Sequence, residues 1–97
     1  MVLQKHLYIF SGLGADEKAF QKLNLDAYQL THIRWIKPGV NEPIEEYAKR
    51  LLEQVITPNP VLMGLSFGGL MAIEVSKHID TDKIILISSV KTKKEIR

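Results

Sequence analysis

A single serine interrupts an apolar run near the middle of the chain, in the segment PVLMGLSFGGLMAIEV at residues 60–75. The part before the serine, VLMGL, is short and apolar, which predicts a buried strand over residues 61–65. The part that begins at Ser66 predicts a helix, so the chain must reverse direction sharply at the serine. Side chains two positions before and two positions after such a reversal would collide. Glycine occupies both positions, as Gly64 and Gly68. We therefore expect a tight turn that holds Ser66 at a strained, positive φ and exposes its hydroxyl.

The remainder of the chain alternates short apolar runs with stretches of helical periodicity. The predicted strands are 6–10, 28–36, 61–65 and 83–90, and the predicted helices are 15–23, 41–56 and 66–79. Asp16 and Asn41 are candidate caps for the first two helices, and Pro43 suits the first turn of the second. Such alternation predicts an α/β fold with a parallel sheet and helical crossovers. At 97 residues the chain has the length of one small domain, residues 1–97.

The second predicted strand, YQLTHIRWI, alternates polar and apolar residues, whereas the other three are almost continuously apolar. Alternation indicates one solvated side, and continuous apolar runs indicate strands that are covered on both faces. The second strand is therefore expected at an edge, which favours the spatial order 2-1-3-4. Right-handed crossovers then place the three helices on two faces of a doubly wound sheet, with the first helix alone on its face.

Composition excludes several classes of function. The chain has no cysteine, so neither disulfides nor thiolate metal sites are expected, and its three histidines lack the spacing of metal ligands. A net charge of +2 gives no general attraction to nucleic acid, and we read the basic tail KTKKEIR as a solvated terminus. No segment has the length of a membrane span or of a secretory signal, so we predict a cytoplasmic protein without metal or cofactor.

The glycines gather where predicted strands end, at one edge of the parallel sheet. They are Gly12, Gly14, Gly39, Gly64, Gly68 and Gly69. Open α/β sheets bind ligands at this carboxyl edge, near the point where the strand order reverses. A dinucleotide fingerprint in SGLGADE is disfavoured because Glu17 stands where the third glycine would be. Strand 2 also ends without an acidic residue for a ribose.

The segment GLSFGG, between a buried strand and a helix, resembles the nucleophile elbow of the α/β-hydrolase superfamily. The resemblance covers about residues 5 to 90. It implies that Ser66 is a catalytic nucleophile and that Gly64 and Gly68 are the elbow glycines. It also makes the backbone N–H of Phe67 a candidate donor of an oxyanion hole, at a helix amino end where partial positive charge favours an anion.

The segment FSGLGAD after the first strand resembles the oxyanion loop of the same family. The family usually has His-Gly where this chain has Ser11 and Gly12, a departure that leaves the backbone donor in place. The resemblance implies that the N–H of Leu13 is the second donor and that Gly12 and Gly14 are the glycines of the loop. Losing one such donor typically raises the barrier by about 3 kcal/mol.

A serine hydroxyl is a weak nucleophile unless a base lies beside it. In this family an acid and then a histidine follow the serine along the chain. His78 is expected at the far end of the helix that begins at Ser66, and His6 and His32 at or near the amino ends of their strands. None of the three is expected beside Ser66.

The acidic residues do not complete a triad either. Asp80 and Asp82 precede the fourth strand and are expected at the amino edge of the sheet, whereas Asp16 is expected as a helix cap. Ser88 and Ser89, at the carboxyl end of the fourth strand, are not bases. The resemblance places the family's acid, histidine and lid after this strand, so the chain resembles the amino-terminal half of an α/β hydrolase.

The sequence therefore predicts a serine hydrolase that acts on esters or thioesters of small to medium acyl groups through Ser66, and that is incomplete as this chain. The alternative is a non-catalytic binding or assembly module, or a fragment, that retains the hydrolase fold. We expect no nucleic-acid or membrane partner. The apolar segment KIILISSV at residues 83–90 predicts self-association, by pairing of strand 4 or by exchange of elements.

Overall fold

The computed structural model describes residues 5–11 and 25–87. The elements are β1 (Lys5–Phe10), β2 (Tyr28–His32), α1 (Ile44–Leu51), a 3₁₀ turn (Leu52–Gln54), β3 (Val61–Leu65), α2 (Phe67–Ser76) and β4 (Lys83–Ile87). The predicted first helix, the oxyanion loop and the residues after Ile87 lie outside the described residues. No helix within the described ranges is long and apolar enough to cross a membrane.

The four strands form one parallel sheet in the order β2-β1-β3-β4, which confirms the predicted order. β3 is buried at all five positions, as a strand covered on both faces must be. β2 is largely exposed, which agrees with its predicted place at an edge. Because parallel strands align their carboxyl ends, Phe10, His32, Leu65 and Ile87 end at the same side of the sheet.

Helices α1 and α2 pack on the same face of the sheet, as the right-handed crossovers predicted for the second and third helices. Ala48 and Leu51 of α1 share a buried cluster with Met71, Ala72 and Val75 of α2 and with alternate residues of the strands, among them Tyr8, Phe10 and Leu62. The other face of the sheet carries a second cluster of Leu7, Ile9, Val61, Met63 and Leu65. The placement of a helix on that second face lies outside the described residues.

Two predicted elements are longer than the observed ones. The predicted strand 28–36 ends at His32. The N–H of Ile33 still donates to Ile9 of β1, but the backbones of Arg34 and Ile36 bond to side chains of α1 and its 3₁₀ turn instead of to a strand. The predicted helix 41–56 begins only at Ile44 and becomes a 3₁₀ turn after Leu51. Asn41 does not cap it, since Asn41 takes a positive φ of 56° in the preceding turn and Pro43 occupies the cap position.

The helix that follows Ser66 is also shorter than predicted. It ends at Ser76 instead of Ile79, and His78 lies in the turn after it. β4 is half-buried at most positions, with the Leu86 side chain 54% exposed. Among the described strands β4 pairs with β3 alone, so self-association through β4 stays a prediction.

Candidate functional site

Ser66 occupies the one-residue junction between β3 and α2, with φ 59° and ψ −122°. A residue with a side chain rarely adopts this region of backbone space, and it persists only where surrounding structure enforces it. The residue is exposed, at the carboxyl edge of the sheet. The predicted positive φ and the predicted exposure of Ser66 are therefore confirmed.

Gly64 is required because the chain folds back on itself across the junction. A Cβ atom built on Gly64 would lie 2.5 Å from the carbonyl oxygen of Gly68 and 2.6 Å from the amide nitrogen of Gly69. Both atoms belong to backbone, which cannot move aside without displacing the helix. The expected collision across the turn is thus present at Gly64.

Gly68 is required for a different reason from the one that the sequence suggested. A Cβ atom on Gly68 would clash with the carbonyl oxygen of Phe10 and would lie 2.6 Å from its carbonyl carbon. The first turn of α2 therefore sits directly against the end of β1, so that glycine here permits contact between helix and neighbouring strand. A Cβ atom on Gly69 would make only ordinary contacts, at 3.5 Å from the Leu86 side chain and 3.7 Å from the carbonyl oxygen of Gly64.

Two hydrogen bonds fix the turn. The N–H of Ser66 donates to the carbonyl of Ile87 at 3.3 Å, which continues the pairing of β3 with β4 by one residue. The carbonyl of Ser66 accepts the N–H of Gly69 at 2.8 Å and closes the first turn of α2. The junction is therefore held by β1 through Gly68 and by β4 through Ile87.

The amino end of α2 carries one of the two candidate oxyanion donors. Phe67 is the first residue of α2, where a backbone N–H has no partner within the helix and points toward an incoming anion. Leu13, Gly12 and Gly14 lie outside the described residues. Ser11, two positions before Leu13, has its carbonyl carbon 3.0 Å from the Cβ position of Gly68, so the chain leaves β1 beside the start of α2.

The histidines do not reach Ser66. His6 lies near the amino end of β1, where its Nε2 is 2.5 Å from Oγ1 of Thr31 and its ring stacks on Tyr8. His78 is exposed in the turn beyond α2. The prediction for His32 was wrong, because this residue ends β2 at the carboxyl edge. In the sheet register His32 pairs with Ile9, which pairs with Met63 of β3. Because β1 lies between β2 and β3, His32 is still about 10 Å from the strand that leads to Ser66.

Asp80 and Asp82 precede β4 at the amino edge, as predicted, whereas Asp16 lies outside the described residues. Asp82 precedes β4 and forms a 2.6 Å ion pair with Lys5 at the start of β1. A hydrogen bond from Lys5 lowers the pKa of Asp82, and the same bond raises the pKa of Lys5. Within the described residues, therefore, no base or acid assembles with Ser66. Nor does this part of the chain group three or more side chains that could hold a metal.

A groove that the sequence reasoning missed lies on the other side of Phe67. It has a volume of about 380 Å³, and its aromatic and aliphatic walls are Trp35, Ile36, Ile44, Tyr47, Phe67 and Met71. The Trp35 ring lies 5.7 Å from the Phe67 ring and 6.5 Å from the Tyr47 ring, measured between centroids. The available signal was the chain's only tryptophan, which the pattern of WIKP placed at the end of a strand.

The wall that carries Trp35 is held by side chains of α1 and the 3₁₀ turn. Gln54 accepts the N–H of Arg34 and donates to its carbonyl, both at 2.8 Å. The hydroxyl of Tyr47 accepts the N–H of Ile36 at 3.1 Å and donates to its carbonyl at 2.6 Å. Alternate residues of this extended segment are thereby paired as in a sheet, and Trp35 lies between the two paired residues.

The one acidic side chain at the groove is already engaged. Glu42 accepts the N–H of Gly39 at 2.8 Å and a 2.6 Å bond from Arg50. The backbone N–H of Gly39 and the Arg50 guanidinium lower the pKa of Glu42, so its carboxylate is ionised and paired. Pro38 completes this end of the groove.

Comparison with protein-family models, with curated proteins and with solved structures finds no match for this chain. The functional argument therefore rests on the geometry of the junction and of the groove beside it.

Proposed function

We propose that this chain carries the nucleophile and part of the oxyanion hole of a serine hydrolase of the α/β-hydrolase type, acting on esters or thioesters through Ser66. The observation that carries the proposal is the backbone of Ser66, which is strained, exposed and located at a one-residue junction of strand and helix. A backbone conformation of this kind costs free energy. It is found mainly at functional sites, where contacts with the surrounding structure hold it in place.

In the proposed reaction, Oγ of Ser66 attacks the carbonyl carbon of the ester while a base removes the hydroxyl proton. The N–H groups of Phe67 and Leu13 stabilise the negative charge on the carbonyl oxygen. Collapse of the tetrahedral intermediate expels the alcohol or thiol, protonated by the conjugate acid of the base, and leaves an acyl-serine. Water activated by the same base then releases the acid and restores Ser66.

The base is the missing component of this proposal. His6, His32 and His78 all lie away from Ser66, as described above. We therefore propose that a histidine and its orienting acid are contributed from outside residues 1–97, by further chain or by a partner. Loss of the histidine in a serine protease lowers turnover by about 10⁶, so we expect residues 1–97 alone to hydrolyse an activated ester barely above background.

A fluorophosphonate probe with peptide mass spectrometry tests the nucleophile directly. We expect slow labelling that is selective for Ser66, because the Phe67 N–H and the helix amino end still favour the anionic adduct. Ser76 is a matched control on the same helix, where its hydroxyl donates to the carbonyl of Ile73 at 2.6 Å. Ser66→Ala should abolish the label and Ser76→Ala should leave it unchanged.

Labelling of Ser66 and Ser76 to equal extents would contradict the proposed nucleophile. Rapid labelling of Ser66 would support the nucleophile but show that a base is present, contrary to the assignment above. A longer product of the same gene, or a complex with the partner that supplies the base, should gain several orders of magnitude in rate, and Ser66→Ala should remove the gain.

The second candidate is a binding or assembly module that uses the same edge of the sheet. It is favoured by the absence of a base beside Ser66 among the described residues. The mass of the native gene product discriminates between the two. A product of the size given by these 97 residues, 11.0 kDa, supports the module, and one about twice as large supports the hydrolase.

A further inference from the structure

The groove beside Phe67 offers almost nothing to a polar ligand. Each polar side-chain group at its walls is already engaged or covered. The Tyr47 hydroxyl makes both of its hydrogen bonds to Ile36, and the Glu42 carboxylate is held by Gly39 and Arg50. The Nε1 atom of Trp35 is buried and has no hydrogen-bond partner among the described residues. A group that enters the groove therefore meets hydrocarbon and ring faces.

The groove is also connected to the candidate reaction centre. Phe67 supplies one of its walls with its ring, and its backbone N–H is the candidate oxyanion donor next to Ser66. Trp35, whose ring contacts that of Phe67, is held in place by the bonds that Tyr47 and Gln54 make to the flanking residues. A wall fixed before binding lowers the entropy lost when a ligand is ordered.

We infer that this groove binds an unfunctionalised hydrocarbon chain or ring of the substrate, so that the substrate class is an ester or thioester with a neutral apolar group of medium size. The volume of about 380 Å³ lies near the lower end of small-molecule sites, which suits one such group and not a second. A hydroxyl or charge carried into the groove would lose its water without gaining a partner. The substrate class rests on the proposed function, whereas binding by the groove does not.

The sole tryptophan makes binding measurable without catalysis, because Trp35 is itself a wall of the groove. Aliphatic methyl ketones of increasing length are suitable probes, since a ketone presents an ester-like carbonyl but has no leaving group. We expect a saturable change in tryptophan emission and about fourfold tighter binding for each added methylene until the groove is filled. A ketone of equal length with a terminal hydroxyl should bind more than about tenfold more weakly.

Two isoleucine variants, one in the groove and one outside it, test whether the ketone binds in the groove. Ile44 is a wall residue with 43% of its surface exposed, so Ile44→Asn changes the groove without opening the core. Ile56 is 81% exposed and lies away from the groove. Ile44→Asn should weaken ketone binding by about tenfold, and Ile56→Asn should leave it unchanged. Equal effects of the two variants, no saturable signal, or equal affinity for the hydroxylated ketone would overturn the inference.

Competition with the phosphonate probe separates this inference from the proposed function. A bound ketone should slow labelling of Ser66, because the groove adjoins the oxyanion donor. Ketone binding without slower labelling would overturn the substrate class and leave the nucleophile intact. Ketone binding in a protein whose Ser66 is not selectively labelled would refute the hydrolase and, with it, the substrate class, while the groove would stand as a binding site alone.

Discussion

Two connections lead from strand to helix on the same face of this sheet, and they are built by opposite means. β3 passes into α2 through Ser66 alone, and contacts between backbone atoms determine the path. β2 reaches α1 through residues 33–43, which form no regular element, and hydrogen bonds from side chains determine that path. The first kind of connection leaves a short signature in the sequence. The second depends on hydrogen bonds between residues 11 and 20 positions apart.

The glycines of the short connection should show the largest effect on stability. Gly68→Ala and Gly64→Ala each place a methyl group against fixed backbone, so we expect each to lower the free energy of unfolding by about 3 kcal/mol or more. Gly69→Ala is the control, because its added methyl makes only an ordinary contact and alanine is the better helix former. It should change the free energy of unfolding by less than about 1 kcal/mol. Urea denaturation of the three variants measures the difference, and comparable losses in all three would contradict the backbone argument.

The long connection should be sensitive to hydrogen bonds instead. Tyr47→Phe keeps the ring but removes both bonds to Ile36, so we expect a loss of about 1–2 kcal/mol in the free energy of unfolding. Tyr28→Phe is the matched control, because the Tyr28 hydroxyl makes no hydrogen bond within the described residues. The thermal midpoints of the two variants provide the measurement. A drop of similar size in both would show that the Tyr47 bonds do not hold the segment.

Ser66 itself allows a smaller and more specific test of the short connection. Glycine adopts φ 59° and ψ −122° without the side-chain penalty, so Ser66→Gly should be more stable than Ser66→Ala by about 1 kcal/mol. In ordinary extended backbone or in a helix interior the order would be reversed, because glycine loses more freedom on folding. Denaturant midpoints of the pair decide between these cases.

The smallest effect is expected from pH, at Glu42 in the long connection. Its pKa in the folded protein is lowered by the N–H of Gly39 and by Arg50, so the ionised form contributes stability that is fully present above the group's ordinary pKa. That contribution is lost as pH falls through the lowered pKa of the folded state. The gap in stability between the wild type and Glu42→Gln should therefore narrow on acidification. Urea midpoints measured at neutral and acidic pH test this, and a constant gap would rule out the assigned cause.

The architecture was largely predictable because it follows from local patterns. Apolar runs located three of the strands. The alternation in YQLTHIRWI located β2 and placed it at an edge, from which the strand order followed. The positive φ of Ser66 was predictable for a similar reason, since two glycines at fixed spacing permit few backbone paths. The reason for Gly68 was not, because it depends on how close α2 lies to the end of β1.

The groove and the end of β2 were not predictable from pattern alone. Residues 33–36 continue the alternation of β2, yet the backbones of Arg34 and Ile36 bond to Gln54 and Tyr47, which no period in the sequence indicates. His32 was misplaced as a consequence, since a strand that ends four residues earlier moves it to the opposite edge. The oxyanion loop at Gly12, Leu13 and Gly14 stays a prediction.

The junction at Ser66 is attached to two neighbouring strands, which limits how far its geometry can change. Ser66 is tied to β1 through Gly68 and to β4 through Ile87, so it moves only if the adjoining strands move. The Trp35 wall depends on a few side chains at the surface, which exchange and open more readily than a buried ladder. Substitutions at Tyr47, Gln54 or Ile44 can therefore reshape the groove over successive generations, while the backbone geometry of Ser66 is inherited unaltered.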